Sequence, residues 1–342
     1  MTVVRHRRID LELRHTFRIA RGASDVRHNV VAEIEHDGVS GLGEAAPIRR
    51  YDQDAESAER ALDAMAGRLG EPRFFSSAAA AAAQPGQSAA EAAVDIALHD
   101  LAAKRLGVPL WELLGIAPRP TPPTSFTIGM DTPEVVAEKV RQAGDYEILK
   151  IKLGGEDDLE LLETVRSVTD RPLRVDANEG WSFDTARSLL THLQSMGVEL
   201  VEQPFPADRL EDTRELRRTS PLPLIADENV GRASDIPKLA GVFDGINIKL
   251  AKCGGISEAL RMIAVARAHG MSVMLGCMIE SSLGITAAAH LSPLVDYADL
   301  DGHVLIVNDP FEGVAIENGR LVLPDRPGLG VVRRRDPEPE AR

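Results

Sequence analysis

The segment Ile148-Leu-Lys-Ile-Lys-Leu-Gly-Gly155 places two lysines, one residue apart, in an apolar run with the composition of a buried β-strand. Residues i and i+2 of a strand point to the same face, so Lys150 and Lys152 are expected side by side. An edge strand with a solvated polar face could carry the same pair. The rest of the chain decides between these two interpretations.

Similar β-like runs recur through the second part of the chain. They end at intervals of 22 to 27 residues, with segments of helical character between them. This spacing is about that of one βα unit in a barrel of roughly 250 residues and eight units. The chain after the last run lacks a full helical pattern, so we predict an α/β fold with a (β/α)7β TIM-type barrel. The runs end near Gly129, Lys152, Asp176, Glu202, Asp227, Lys249, Gly276 and Asp301.

The first part of the chain has a different pattern. Residues 2–46 alternate as antiparallel strands do, and alanine-rich segments with helical spacing follow them. A proline-rich connector is the best candidate for a domain boundary. The predicted parts are an N-terminal α+β domain at 1–117, the connector at 118–123, the barrel at 124–305, a segment returning toward the N-terminal domain at 306–332, and a disordered tail at 333–342.

Composition excludes several classes of function. The chain has 53 acidic and 39 basic residues, a net charge of −14, so it lacks the basic surface of proteins that bind nucleic acids or anionic membranes. No run approaches the roughly 20 apolar residues of a membrane span. The two cysteines, Cys253 and Cys277, have neither a C-x-x-C nor a zinc spacing. We therefore expect a cytoplasmic protein without nucleic-acid or membrane partners.

Ionisable residues stand at the ends of the predicted barrel strands. Asp176, Glu202 and Asp227 end three consecutive strands, and lysines end the flanking ones. The C-terminal strand ends of a TIM barrel converge on the active site. Three carboxylates around one point suit a hard cation such as Mg²⁺. Any single acid could instead be a solvated residue that caps the following helix. Helix capping does not explain why three consecutive strands each end in an acid.

The combined motifs resemble a known family. They read K-x-K at 150–152, D-x-N at 176–178, E-Q-P at 202–204, D-E at 227–228 and N-I-K at 247–249. The pattern resembles the muconate lactonizing enzyme subgroup of the enolase superfamily, as does the helical segment at 93–101. The resemblance covers nearly the whole chain, and it implies that the N-terminal domain is a capping domain that closes over the barrel mouth.

The resemblance also implies roles for the residues at the strand ends. Asp176, Glu202 and Asp227 would bind one Mg²⁺ per subunit, and the metal would stabilise an enediolate formed by loss of the substrate's α-proton. Burial beside like charge and a metal cation would disfavour the ammonium form of the lysines.

Two of the lysines would act as bases on opposite faces of the substrate, namely Lys152 and Lys249. Lys150 would pair with the substrate carboxylate. Two opposed bases favour racemisation or epimerisation, although relatives that use one lysine for elimination keep both. Lys252, beyond a strand end, is interpreted as a loop cation.

The eighth predicted strand separates reactions within the subgroup. Asp299-Leu-Asp301 sends two carboxylates to one face, and the other site residues need neither, so a cation on the substrate is the candidate partner. This D-x-D resembles the feature by which dipeptide epimerases hold an N-terminal ammonium; a solvated turn is the alternative. Thr127 and Cys277 resemble residues that contact substrate, and Cys277 could equally be an inert small residue.

The second side chain of a dipeptide could be recognised by Arg21, which lies in a mobile loop of the capping domain in this family. Its planar guanidinium would favour acidic dipeptides such as Ala-Glu. Arg18, Arg49 and Arg50 compete for this role, and a surface arginine would look the same.

The features together predict a Mg²⁺-dependent dipeptide epimerase. It would invert the α-carbon of the C-terminal residue by two-base 1,1-proton transfer, on Ala-Glu from cell-wall peptide turnover, and it would form a homo-oligomer. An N-acylamino acid racemase or o-succinylbenzoate synthase is the alternative and would not need Asp299 and Asp301. A sugar-acid dehydratase fits less well, since its sixth and seventh strands tend to supply an Asp-His pair. A catalytically silent, ligand-binding barrel is a more remote alternative.

Overall fold

The computed structural model describes residues 2–334 except 70, 72–77, 80–81 and 118–119. Its first sheet is antiparallel, with strands β1 (Thr2–Ile19), β2 (Gly22–His36) and β3 (Val39–Ala45) in that order. The pairing register of β1 and β2 shifts between Glu12 and Phe17. Beyond the shift, the end of the hairpin reaches the barrel, where the Met130 N–H donates to the Arg18 carbonyl at 3.0 Å.

Helices α1 (Ala55–Ala66) and α2 (Ser88–Leu106) pack on this sheet, and α3 (Leu110–Leu113) follows them. Strand β3 approaches α2 so closely that a Cβ on Gly43 would stand 1.9 Å from the Ala93 carbonyl oxygen. Glycine is therefore required at that position. Helix α2, one of the alanine-rich segments, is a packed helix, as the sequence predicted.

Two buried acids of α2 hold the N-terminal domain to the rest of the chain. Asp95 accepts hydrogen bonds from the Ser257 hydroxyl at 2.5 Å and the Ser257 N–H at 3.0 Å. Asp100 accepts the N–H groups of Leu42 and Leu329, both at 2.8 Å. Helix α2 thus contacts the sheet, the barrel and the C-terminal segment through satisfied polar groups.

The second sheet is the predicted barrel. Its eight parallel strands hydrogen-bond in chain order, and a bridge between Thr124 and Ala298 joins the first strand to the last. Seven of the strands are followed by helical segments and the eighth is not, within the described residues, which confirms the (β/α)7β fold. The strands are β4 (Ser125–Ile128), β5 (Ile148–Lys152), β6 (Leu173–Asp176), β7 (Val198–Glu202), β8 (Leu224–Ala226), β9 (Gly245–Lys249), β10 (Ser272–Gly276) and β11 (Tyr297–Asp299).

Helices surround the barrel, and apolar side chains between strands and helices form the main core. Short strands follow the barrel. The helices are α4 (Pro133–Gln142), α5 (Asp158–Val168), α6 (Phe183–Ser195), α7 (Leu210–Thr219), α8 (Ile236–Leu239), α9 (Leu250–Cys253), α10 (Ile256–Ala268) and α11 (Ser282–Ala289). Short 3₁₀ helices span Arg49–Tyr51, Ala233–Asp235 and Ser292–Leu294. The last strands are β12 (Phe311–Glu312), β13 (Ala315–Glu317), β14 (Arg320–Val322) and β15 (Val332–Arg333).

One predicted boundary needs correction at the C-terminus. Arg333 was assigned to a disordered tail, but it lies in β15 and pairs with Phe311 of β12. Arg334 of the same predicted tail is also described, and its N–H donates to the Pro310 carbonyl at 2.9 Å. Residues 335–342 of that tail lie outside the described residues, as do residues 118–119 of the predicted connector. The other domain boundaries stay predictions. Among the described helices, none combines the length and the apolar character needed to cross a membrane.

Candidate active site

Three carboxylates meet at the C-terminal edge of the barrel, as their places at the strand ends predicted. Asp176 and Glu202 end β6 and β7, and Asp227 directly follows β8. Each offers an oxygen that lies within 4.8 Å of those of the other two, and all three side chains are buried. Oxygen donors so close together, and carrying negative charge, fit a hard divalent cation better than a soft one.

A lysine stands on each side of this carboxylate trio. Strands β5 and β9 flank the three strands that supply the acids. The Lys152 Nζ donates to Asp176 Oδ2 at 2.7 Å, and the Lys249 Nζ donates to Asp227 Oδ2 at 2.7 Å. The two ammonium groups are therefore separated by the trio, as expected for groups that face one ligand from opposite sides.

Lys150 lies deeper in the barrel than its neighbour in the K-x-K motif. Its side chain is 1% exposed, and its Nζ lies 2.6 Å from Glu202 Oε2 and 2.7 Å from Asp299 Oδ2. This contact corrects the expectation that no residue of the site needs Asp299. The strand core carries a second lysine because carboxylates from β7 and β11 enclose it.

The carboxylates reverse the expected effect of burial on the pKa values of Lys150 and Lys249. Burial lowers the pKa of Lys150, but Asp299, Glu202 and Asp176 outweigh it, and the pKa is raised well above its usual range. At Lys249, burial likewise lowers the pKa, but Asp227 and Glu202 raise it by more, so the pKa is above its usual value. Burial would raise the pKa of Asp176, but Lys152 and Lys150 lower it to about 2. In the structure without metal, the ammonium forms of Lys150 and Lys249 are therefore favoured, contrary to the expectation from burial and like charge.

Lys252 belongs to the same network and is not a loop cation. It lies on α9 and is buried. Its Nζ donates to Asp227 Oδ1 at 2.5 Å, to the Asp227 carbonyl at 2.6 Å and to the Asn247 carbonyl at 3.1 Å. The interpretation was wrong because the short helix that begins directly after Lys249 turns the chain back over the barrel mouth. Asp227 thus has two lysine partners.

The two acids of the D-x-D motif have different partners. Asp299 accepts the Ser125 hydroxyl at 2.6 Å in addition to Lys150. Asp301, just beyond the end of β11, accepts the Thr127 N–H at 2.6 Å. No ion pair to Asp301 is present in the described part of the chain, and burial together with the charge of Asp299 raises the pKa of Asp301 to about 7. Only one of the two carboxylates therefore lacks a cation.

A cavity lies above this network, between the barrel and the N-terminal domain. Two of the metal-ligand candidates, Asp176 and Glu202, lie beneath its floor and are fully buried. The N-terminal domain supplies the opposite wall, as a capping domain would. The floor residues are Thr127, Lys150, Lys152, Asn178, Asp227, Glu228, Lys249, Cys277, Asp299 and Asp301. The wall residues include Phe17, Ile19, Arg21, Arg27, Ile48, Arg50 and Tyr51.

Arg21 reaches the cavity, but acceptors of the barrel engage its guanidinium. One terminal nitrogen donates to the Asn178 carbonyl at 2.8 Å and to Glu179 Oε2 at 3.0 Å. The other donates to Glu228 Oε1 at 2.6 Å. Arg50, one of its competitors, forms two hydrogen bonds to Glu179, both at 3.0 Å. Both arginines connect the N-terminal domain to the barrel.

Cys277, a predicted substrate contact, lines the cavity together with two residues for which the sequence predicted no role, Glu228 and Arg27. Cys277 contacts the Asp299 carbonyl through its sulfur at 3.3 Å, and burial raises the pKa of its thiol. Glu228 pairs with Arg21, and burial beside Asp227 raises the pKa of its carboxyl to about 7. Arg27 was missed, although two-residue alternation along β2 places it on the same face as the buried Asn29.

Two family models match the chain over most of its length. Residues 2–115 match the mandelate racemase / muconate lactonizing enzyme N-terminal domain, and residues 132–336 match the enolase C-terminal domain-like family. Individual relatives support this assignment. An L-Ala-D/L-Glu epimerase of Bacteroides thetaiotaomicron is 44% identical over 329 residues, which are 95% of this chain and 86% of the relative.

Solved structures give the same result. A dipeptide epimerase from Cytophaga hutchinsonii, in complex with Mg and D-Ala-L-Val, superposes with a TM-score of 0.92 at 30% identity, covering 97% of this chain and 96% of the other. One from Methylococcus capsulatus, in complex with Mg and L-Arg-D-Lys, has a TM-score of 0.88 at 36% identity, covering 96% and 99%. The chain therefore belongs to the mandelate racemase and muconate lactonizing enzyme family of the enolase superfamily.

Proposed function

We propose that this protein is a Mg²⁺-dependent dipeptide epimerase that inverts the α-carbon of the C-terminal residue. The observation that carries the proposal is the placement of two buried lysines, Lys152 and Lys249, on opposite sides of three convergent carboxylates. The relatives named above act on dipeptides, and two of the similar structures contain Mg together with a dipeptide.

The carboxylate trio would hold the metal. Asp176, Glu202 and Asp227 offer buried oxygen atoms at mutual distances suited to one cation. Bound Mg²⁺ would supply positive charge to balance the negative charge on the substrate carboxylate. Asp227, as a ligand, would offer less of its charge to Lys249, which would favour the neutral amine of Lys249.

The lysines would exchange protons with the α-carbon from opposite faces. One lysine removes the proton from one epimer, and the other, as an ammonium, returns a proton to the opposite face. Reversal of these roles converts the second epimer. Because both lysines lie at the cavity floor, a substrate held above the trio presents one face to each. General acid–base groups in such positions contribute typically 10²- to 10⁴-fold to the rate.

The remaining floor residues would hold the two ends of the dipeptide. Asp301, which lacks an ion pair in the described structure, would accept the N-terminal ammonium with support from Asp299 and Thr127. Lys150 would help to balance the substrate carboxylate. Cys277 lies beside Asp299 and would contact the same end of the substrate.

The test is solvent deuterium exchange into a dipeptide library, measured by mass spectrometry. We expect incorporation of one deuterium at the α-carbon of the C-terminal residue, loss of exchange after dialysis against a chelator, and recovery with Mg²⁺. Exchange is also measured in the lysine-to-alanine variants of the two proposed bases, Lys152 and Lys249. Lys238→Ala, at an exposed position remote from the cavity, is the matched control for these variants. Full exchange by metal-free protein would contradict the mechanism, and absence of exchange with every dipeptide would contradict the function.

Three further points belong to the proposal. The preferred substrate is Ala-Glu, which would connect the enzyme to cell-wall peptide turnover, and the relative with 44% identity is named for this dipeptide. The protein acts in the cytoplasm, which cell fractionation would test.

It forms a homo-oligomer, which light scattering of the purified protein would test.

A further inference from the structure

One cation at the cavity differs from all the others there. Within the described part of the chain, the remaining lysines and arginines that line the cavity each have an acidic partner: Arg21, Arg50, Lys150, Lys152 and Lys249. Arg27 lines the same cavity, and no hydrogen bond or ion pair of its side chain is present among the described residues. Its positive charge is uncompensated in the absence of a ligand.

Arg27 is held in this position by the sheet of the N-terminal domain. It pairs with Leu11 in the register of β1 and β2. Two residues further along the same face, Asn29 donates to the Ile279 carbonyl at 3.0 Å and to Glu44 at 2.8 Å, which fixes this face of β2 against the barrel. Alternation therefore directs Arg27 toward the barrel mouth.

The surroundings of Arg27 make an unpaired charge unfavourable. Its Nε atom is buried and has no hydrogen-bond partner. Burial lowers the pKa of its guanidinium, and no neighbouring carboxylate opposes that effect. Apolar side chains line the same cavity, including Phe17, Ile19 and Leu305. A buried polar group without a partner is rare and costly, so an arginine at such a place is best explained by an anion that arrives from outside.

We infer that Arg27 is a specificity-determining residue that binds a side-chain carboxylate of the substrate, so that the substrate class is acidic dipeptides. This inference rests on the proposed dipeptide epimerase activity and goes beyond it in assigning the residue. A planar guanidinium binds a carboxylate through two parallel hydrogen bonds, which a neutral amide of the same shape cannot reproduce. Arg21, the candidate suggested by sequence, already has acceptors at both terminal nitrogens.

The test compares acidic dipeptides with their amides. kcat/KM is measured for Ala-Glu, Ala-Gln, Glu-Ala and Gln-Ala in the wild type, Arg27→Met and Arg27→Lys. We expect a wild-type preference for glutamate over glutamine of at least about 10-fold at one of the two positions, which identifies the residue that carries the recognised carboxylate. Arg27→Met should bring this ratio close to one through KM, and Arg27→Lys should keep part of it.

Two further variants separate Arg27 from other arginines. Arg21→Met should retain the glutamate-to-glutamine ratio even if overall activity falls, and Arg5→Met, on the exposed edge of the same sheet, is the control for folding and assay. A ratio unchanged by Arg27→Met, or removed by Arg21→Met, would overturn the inference. Exchange of no dipeptide by the wild type would instead refute the proposed function, so the two failures are distinguishable.

Discussion

The lysines on the floor of the cavity and one arginine of its wall, Arg27, differ in how their charge is compensated. On the floor, lysines and carboxylates neutralise one another at 2.7 Å, as in the contacts of Lys150, Lys152 and Lys249. On the wall, Arg27 is partly buried and has no partner among the residues that the structure describes. A neutralised network is assembled before any ligand arrives, whereas an unpaired charge is completed only by one. The comparison therefore separates residues that form the site from a residue that selects its ligand.

The largest effect is expected from the bases on the floor. Lys152→Ala should stop exchange of the α-proton from one epimer, and Lys249→Ala should stop it from the other, each with a loss of about 10²- to 10⁴-fold. The measurement is deuterium incorporation into each separate epimer. If both variants lost exchange from the same epimer only, a single base would act. The placement of Lys152 and Lys249 on opposite sides of the carboxylate trio would then have no role in catalysis.

A second prediction contrasts the stability of the two regions. Lys150→Met removes one member of a buried network and leaves Glu202 and Asp299 uncompensated, which should lower the free energy of unfolding by about 3 to 5 kcal/mol. Arg27→Met removes an unpaired charge, so stability should be unchanged or higher.

Thermal and urea unfolding of the metal-free proteins would measure this contrast. Arg5→Met again serves as the control, because Arg5 is exposed and its ion pair with Glu35 contributes little. A clear loss of stability in Arg27→Met would indicate a structural partner for that side chain and weaken the distinction between floor and wall.

The third prediction concerns Asp301. Like Arg27 on the wall, this floor residue has no ion pair in the described part of the chain. N-acetylation of the best dipeptide removes a charge-assisted contact and should lower kcat/KM by about 30-fold or more, or roughly 2 to 5 kcal/mol. Asp301→Asn should narrow this gap, since an amide does not discriminate charge. Equal kcat/KM for free and acetylated substrates would favour the N-acylamino acid racemase alternative.

The strand ends were predictable because a parallel βα repeat brings all C-terminal strand ends to one edge. The predicted ends at Lys152, Asp176, Glu202, Lys249 and Gly276 are the observed ones. The eighth strand was predicted to end at Asp301 and ends at Asp299, so Asp301 lies in the following loop. The predicted strand ends are thus correct to within two residues.

Charge pairing was not predictable in the same way. Lys150 and Asp299 are 149 residues apart in sequence, and their contact exists because the first and last barrel strands meet. The position of Lys252 depends on a four-residue helix that turns back over Asp227. Contacts of this kind depend on the closure of the barrel and on the path of single turns.

The sequence by itself determined the repeat, the order of the strands and the types of side chain at their ends, because period and composition are local properties. Only the tertiary structure decided which charges compensate one another and which one stays unpaired. Arg27 shows the reason: the cavity that it lines is formed by residues from β1, from the barrel strands and from the loops after β3, β10 and β11, and these meet only where the N-terminal domain covers the barrel.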